Sequence, residues 1–271
     1  MIGTRPTSPW VDRVAGVVLM VILVAVVAAP LVARHGPVTQ HLGAALQGPS
    51  ATHLLGTDQY GRDLWARVVY GGRLTLEVAA TAVAIALIVG AAIGLLAAMA
   101  GGWTDAVLMR ALDIVLAFPY LLLAIAVVTA LGPGSWHAAF AIGVWLMPSA
   151  ARVARASALE LKPREFVDAA YALGATRLGV VFRHIVPNAA PTLGVFATVA
   201  VGRAVILEAA LDFLGLGAQP PQPSWGAMIS SGRDYLLTAP MLTVAPGCAI
   251  VITVVALNLV GNRLQRRPGG T

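Results

Sequence analysis

Lys162 is the only lysine in this sequence, and Pro163 follows it. A nucleotide-binding P-loop needs a glycine-rich turn ending in Gly-Lys-Ser/Thr, so this chain cannot supply that lysine. The five histidines, His35, His41, His53, His137 and His184, show no ligand pair at helical spacing, so no metal is expected. A Gly-x-Ser-x-Gly nucleophile turn does not occur either. Cys248 is the single cysteine; it rules out a disulfide within the chain and reads as a small packed side chain. What remains is charge set among apolar residues. Asp113, Arg203 and Glu208, the last followed one turn later by Asp212, interrupt hydrophobic runs, and each costs free energy unless it is paired or wet. Arg203 and Glu208 are five residues apart, on different faces of a helix. Arg203 therefore needs a partner on another helix, as a packing ion pair, or a water-filled path.

The elements that must position these groups follow from composition. Apolar residues make up 58% of the chain and charged residues 11%, the profile of a membrane protein. Crossing ~30 Å of hydrocarbon takes roughly 20 apolar residues, and six windows qualify: 14–33, 76–100, 106–131, 136–154, 189–211 and 240–259. The expectation is an all-α membrane protein of six transmembrane helices. Arg5 and Arg13 precede the first window as they would a signal peptide, but its apolar core exceeds the ~7–15 residues of a signal core, so it reads as a retained anchor. The chain then divides into a tail (1–13), a first span (14–33), an outer segment (34–75), a core transmembrane domain (76–262) and a second tail (263–271). A net charge of +6 could suggest nucleic acid, yet the basic residues flank apolar spans and lack interleaved aromatics. Membrane topology accounts for them.

With the loop around Gly174 taken as cytoplasmic, twelve basic residues fall inside: Arg5, Arg13, Arg110, Arg152, Arg155, Lys162, Arg164, Arg177, Arg183, Arg263, Arg266 and Arg267. Five fall outside: Arg34, Arg62, Arg67, Arg73 and Arg233. Both termini are expected in the cytoplasm of a multi-pass cell-membrane protein. In the outer segment, Leu64, Trp65, Val68 and Val69 recur at helical spacing with Arg62, Asp63 and Arg67 between them. That pattern fits an amphipathic helix at the membrane surface or a loop folded on the bundle. Ala86, Gly90, Gly94 and Ala98 repeat every four residues, as do Gly194, Thr198 and Gly202, and such stripes predict close helix contact. Pro119 and Pro148 should kink the third and fourth spans.

The most polar stretch, "FVDAAYALGATRLGVVFRHIVPN" (166–188), joins the fourth and fifth spans. Pro163 suits the first turn of a helix whose apolar face holds Phe166, Ala169, Ala170 and Leu173, with Arg164, Glu165 and Asp168 elsewhere. Gly174 ends it, and Thr176 caps a second short helix that Pro187 stops. Two readings stand: a helical knob that inserts into a partner's groove, and a polar connecting loop.

Asp168-Ala169-Ala170, then Gly174, then Pro187 thirteen positions on, resembles the "EAA" loop of permease subunits of binding-protein-dependent ABC importers. "LLGTDQYGRDLWARVVYGGRLTL" (54–76), "FRHIVPNAAP" (182–191) and "LEAALDFLGLGAQPPQPSWGAMI" (207–229) resemble the dipeptide/oligopeptide permease family, in its second-permease branch. The resemblance covers nearly the whole chain beyond about residue 10. Asp168 stands where relatives carry Glu, and "GNRLQRRPGGT" (261–271) lacks their acidic ending. The resemblance implies the type I importer permease fold and a non-catalytic subunit that binds no cofactor, with ATP and Mg held by two partner ATPase subunits or domains. It also implies a homologous second permease, an extracytoplasmic solute-binding protein and a peptide cargo, relatives elsewhere carrying nickel, haem-like molecules or other small solutes. Glu165, Asp168, Ala169, Ala170, Gly174 and Pro187 would form the coupling element, Ala169 and Ala170 allowing close approach and Gly174 the turn. Trp225, Gly226 and Arg233, in the proline-rich stretch 217–235, are candidates for an outer gate or docking surface, or for a loop that only packs. An ion-coupled secondary transporter would also fit six spans with buried charges, but the sequence carries no convincing internal repeat.

Overall fold

The computed structural model describes residues 9–265. Arg5, Arg266 and Arg267 of the charge count, and most of both terminal tails, lie outside them. The described residues are helical and loop-connected, with one isolated bridge between Thr57 and Asp63.

The first apolar window becomes α1 (Pro9–Val27) and a one-turn helix, α2 (Ala29–Val32). Then comes α3 (Leu64–Ala100), 37 residues long. At 1.5 Å per residue it extends ~55 Å, well beyond a hydrocarbon core. The expected separate helix at the membrane surface is therefore the first part of α3, continuous with the second span. Nor are its charges exposed: Arg62, Asp63 and Arg67 are all buried. They sit in a tight loop in which Asp58 accepts from the backbone N–H groups of Tyr60 (2.9 Å) and Arg62 (3.0 Å). Its other oxygen faces the guanidinium groups of Arg62 (2.6 Å) and Arg67 (3.3 Å). Gly61, at φ +67°, presses against the carbonyl of His41, where no Cβ would fit. Asp63 Oδ2 then accepts from Ala66 N–H at 2.9 Å and caps α3.

The third window splits into α4 (Gly102–Ala117) and α5 (Tyr120–Leu131), bent by 91°. Phe118, before Pro119, is extended (φ −84°, ψ 130°), as the proline ring requires, so the expected kink is a complete break. Pro148, by contrast, lies inside an unbroken α6 (Ser135–Leu161). After α6 come α7 (Glu165–Ala172), α8 (Arg177–Val180), a π-helical turn at Val181–Ile185 and α9 (Val186–Phe213). A short α10 (Trp225–Gly232) and α11 (Met241–Gln265) complete the chain. Three helical runs, Leu64–Ala100, Arg177–Phe213 and Met241–Leu264, are long and apolar enough to cross a membrane, and the α4–α5 pair makes up to four.

The core is built on small residues. In the α3 stripe, a Cβ on Gly90 would collide with the carbonyl oxygen of Met147, and one on Gly94 with that of Ala151. The α3 and α6 backbones thus approach as the stripe predicts. The second stripe does not pack this way: Gly194 has open space where a Cβ would be, and Gly202 meets only ordinary contacts at 3.7 Å. Valine and leucine side chains of α1, α5 and α11 point outward in number, the face expected toward lipid. Cys248 is exposed on α11 rather than packed.

Candidate functional site

At the α3 C-terminal end of the bundle, the segment between α6 and α9 forms a helical elbow. Glu165, Phe166, Asp168 and Ala169 of α7 are exposed, while Val167 and Ala170 turn inward onto Ala98, Ala158, Val180 and Ile185. The expected apolar face is thereby divided. Ala170 holds the elbow to its own bundle, and Phe166, Ala169 and Leu173 form the outward stripe, one helical turn apart. The elbow's apolar surface continues through Tyr171, Leu178 and Phe182. Pro163 falls just before the helix, whose cap position is Arg164.

Gly174 adopts φ +86°, the left-handed geometry that closes a helix C-terminus. Thr176 accepts from Gly179 N–H at 3.1 Å, capping the next helix as expected. Pro187 does not end that helix. Arg177–Phe213 is one helical run, widened at Val181–Ile185, where Val186 N–H reaches back to the Val181 carbonyl. In α geometry the Pro187 ring would collide with the Arg183 carbonyl; the inserted π turn relieves that clash. The elbow is in this way joined without a break to α9.

Asp113, Arg203 and Glu208, grouped by the sequence as intramembrane charges, lie apart. Asp113 accepts from Arg152 at 2.6 Å, and two turns away Asp105 takes a bidentate pair from Arg155 at 2.6 and 2.5 Å, tying α4 to α6. Glu208, 1% exposed, accepts from Thr75 Oγ1 at 3.3 Å, and its other oxygen has no hydrogen-bond partner among the described residues. Asp212 accepts from Ala218 N–H at 2.8 Å and from the Ser224 hydroxyl, which in turn caps α10. Arg203 is exposed and makes no ion pair with a described residue. It lines a cleft of about 500 Å³ walled by Leu146 and Val153 of α6, Phe196 and Val199 of α9, and Leu264 of α11. Arg203 is the one charged side chain of that wall among the described residues.

At the opposite end, Trp225 is 2% exposed and donates its indole N–H to the Val68 carbonyl at 2.8 Å. Gly226 is buried where a Cβ would strike Ala209 at 2.5 Å. Both pack α10 onto α3 and α9 and offer no surface for docking in this conformation. Arg233 is exposed, 3.3 Å from Asp234. The same end brings His35, His53 and Asp63 within 4.8 Å of one another, a grouping across loops that a search for helical ligand spacing does not reveal.

The model of the binding-protein-dependent transport system inner membrane component matches residues 90–267. The chain belongs to this family. The dipeptide transport system permease protein DppC of Alkalihalophilus pseudofirmus is 41% identical over 270 residues, covering 95% of this chain and 88% of the relative. The glutathione transport system permease protein GsiD of Pectobacterium atrosepticum is 40% identical over 219 residues, covering 81% and 73%. Among solved structures, an inward-facing MetNI methionine ABC transporter chain superposes with a TM-score of 0.62 at 22% identity, over 75% of this permease and 96% of that chain. The permease has the importer fold, and it is a membrane-embedded transport component.

Proposed function

We propose that this chain is the permease subunit of an ATP-driven importer of di- and oligopeptides. It forms half of the path with a homologous permease, receives cargo from an extracytoplasmic solute-binding protein, and is driven by two ATPase subunits that hold ATP and Mg. The chain itself is non-catalytic. Peptide cargo is supported by relatives named for dipeptide and glutathione transport. Counting α1, α3, the bent α4–α5 pair, α6, α9 and α11 gives six crossings, with both termini and the elbow on the cytoplasmic side, as the basic residues favour.

The observation that carries the mechanism is the unbroken helix from the elbow to the cleft. Phe166, Ala169 and Leu173 seat in an ATPase groove, with Glu165 and Asp168 as polar contacts at its rim. When the ATPases close on ATP, the elbow moves with them. Arg177–Phe213, one helical run, carries that displacement to Arg203 and rocks the cleft from inward-open to outward-open. Arg203 meets carboxylate or carbonyl groups of the passing peptide, and the apolar cleft wall tolerates varied side chains.

Pull-down of the tagged chain from detergent-solubilised membranes, with ATPase assays, tests this reading. Wild type should recover a second permease and ATPase subunits, and Gly174→Asp should lose the ATPases and transport while remaining in the membrane. No atom stands within 4 Å of a Cβ at Gly174, so the aspartate projects from the surface and strains only the local backbone. Recovery of the chain alone, with transport intact after reconstitution, would overturn the coupling role.

A further inference from the structure

We propose that His35, His53 and Asp63 bind a divalent transition-metal ion of the zinc class and clip the loop between α2 and α3. The three belong to separate stretches: His35 follows α2, His53 lies in the intervening loop, and Asp63 caps α3. Their ligand atoms nevertheless all lie within 4.8 Å. His53 Nδ1 is 2.8 Å from Asp63 Oδ1 and His35 Nδ1 is 3.9 Å from the same oxygen, with the rings 5.0 Å apart.

Metal–ligand bonds of about 2.0–2.2 Å put neighbouring ligand atoms roughly 3–4 Å apart. The His35–Asp63 separation of 3.9 Å falls in that range, and the His53–Asp63 pair, hydrogen-bonded at 2.8 Å, opens by a few tenths of an ångström as the ion takes the place of the shared proton. Asp63 is oriented for the task because its other oxygen is held by Ala66 N–H at 2.9 Å. A carboxylate fixed by a backbone donor presents one oxygen in a defined direction. Two imidazoles with one carboxylate select zinc, cobalt, nickel or copper over calcium and magnesium. Three protein ligands leave a fourth position, open on the His35 side, for water. Binding would tie three points of a long loop together and reduce the chain freedom lost on folding.

The test uses the full-length chain, purified through a tag without histidine and stripped with chelator. Cobalt(II) is titrated with visible absorption as readout, and zinc by calorimetry, for wild type, His35→Ala and His53→Ala. His35→Ala keeps both the His53–Asp63 hydrogen bond and the Ala66 cap, so its metal-free thermal transition should match wild type. If that transition is lost, His35→Phe is read by the same criterion. The expected result is one ion per wild-type chain, a thermal transition raised by zinc, and affinity weakened at least about tenfold in each variant. Equal affinity in wild type and the His35 variant, or no binding by wild type, would reduce the grouping to a histidine–aspartate hydrogen bond and overturn the proposal.

Discussion

Single residues in this permease matter most where a charge or a glycine has no substitute. Asp58 faces two arginines that are themselves buried, Arg62 at 7% and Arg67 at 6% exposure, while its other oxygen closes a turn. Removing one partner of a buried charge cluster leaves the others uncompensated, at a cost of about 3–5 kcal/mol. Asp58→Ala should therefore lower the thermal transition of the purified protein sharply, whereas Asp234→Ala, at an exposed pair, should leave it nearly unchanged. Equal transitions for the two variants would show that the Asp58 cluster is not what holds the loop. The sequence made these residues visible as a charged motif but not as a buried one. Burial depends on Pro37, whose carbonyl accepts from Arg67 at 2.9 Å, thirty residues away.

Between helices, the decisive quantity is distance of approach. The α3 stripe was readable because small residues every four positions have few other uses in a long apolar helix, yet the same spacing at 194–202 serves no close contact. Gly94→Ala puts a methyl group onto the Ala151 carbonyl, and overpacking of this kind costs typically 1–3 kcal/mol. Gly194→Ala meets nothing within 4 Å and should be neutral or slightly stabilising, since alanine is the better helix former. A comparison of detergent-stability midpoints checks the pair; similar midpoints would sink the close-packing account. The elbow teaches a related lesson. Gly174 and Thr176 act as local chemistry foretells, but Pro187, which ordinarily stops a helix, sits in one that continues through a π turn. Packing of Val180 and Ile185 on Ala98 and Ala158 keeps the chain helical across it.

For the molecule as a whole, the question is what the Arg203 cleft does when the elbow moves. Arg203→Gln removes the charge but keeps length and polarity, and the side chain touches no acidic partner among the described residues. Assembly and stability should stay at wild-type level while peptide uptake by reconstituted transporter falls roughly tenfold, about 1.4 kcal/mol of lost interaction. Normal uptake would remove Arg203 from the path, and loss of assembly would make it a packing residue.

Composition and apolar windows by themselves determined that this is a helical membrane protein, because hydrocarbon leaves few solutions for a backbone, and the family resemblance carried by the local Asp168–Gly174 pattern pointed to the importer type. Tertiary structure alone decided which charges are paired. It joined Asp113 to Arg152, left Arg203 facing a cleft, turned Ala170 inward and Ala169 outward, and buried Trp225 and Gly226. It also drew His35 and His53 to Asp63. Each outcome depends on a partner far away in sequence, and local periodicity carries no information about such partners.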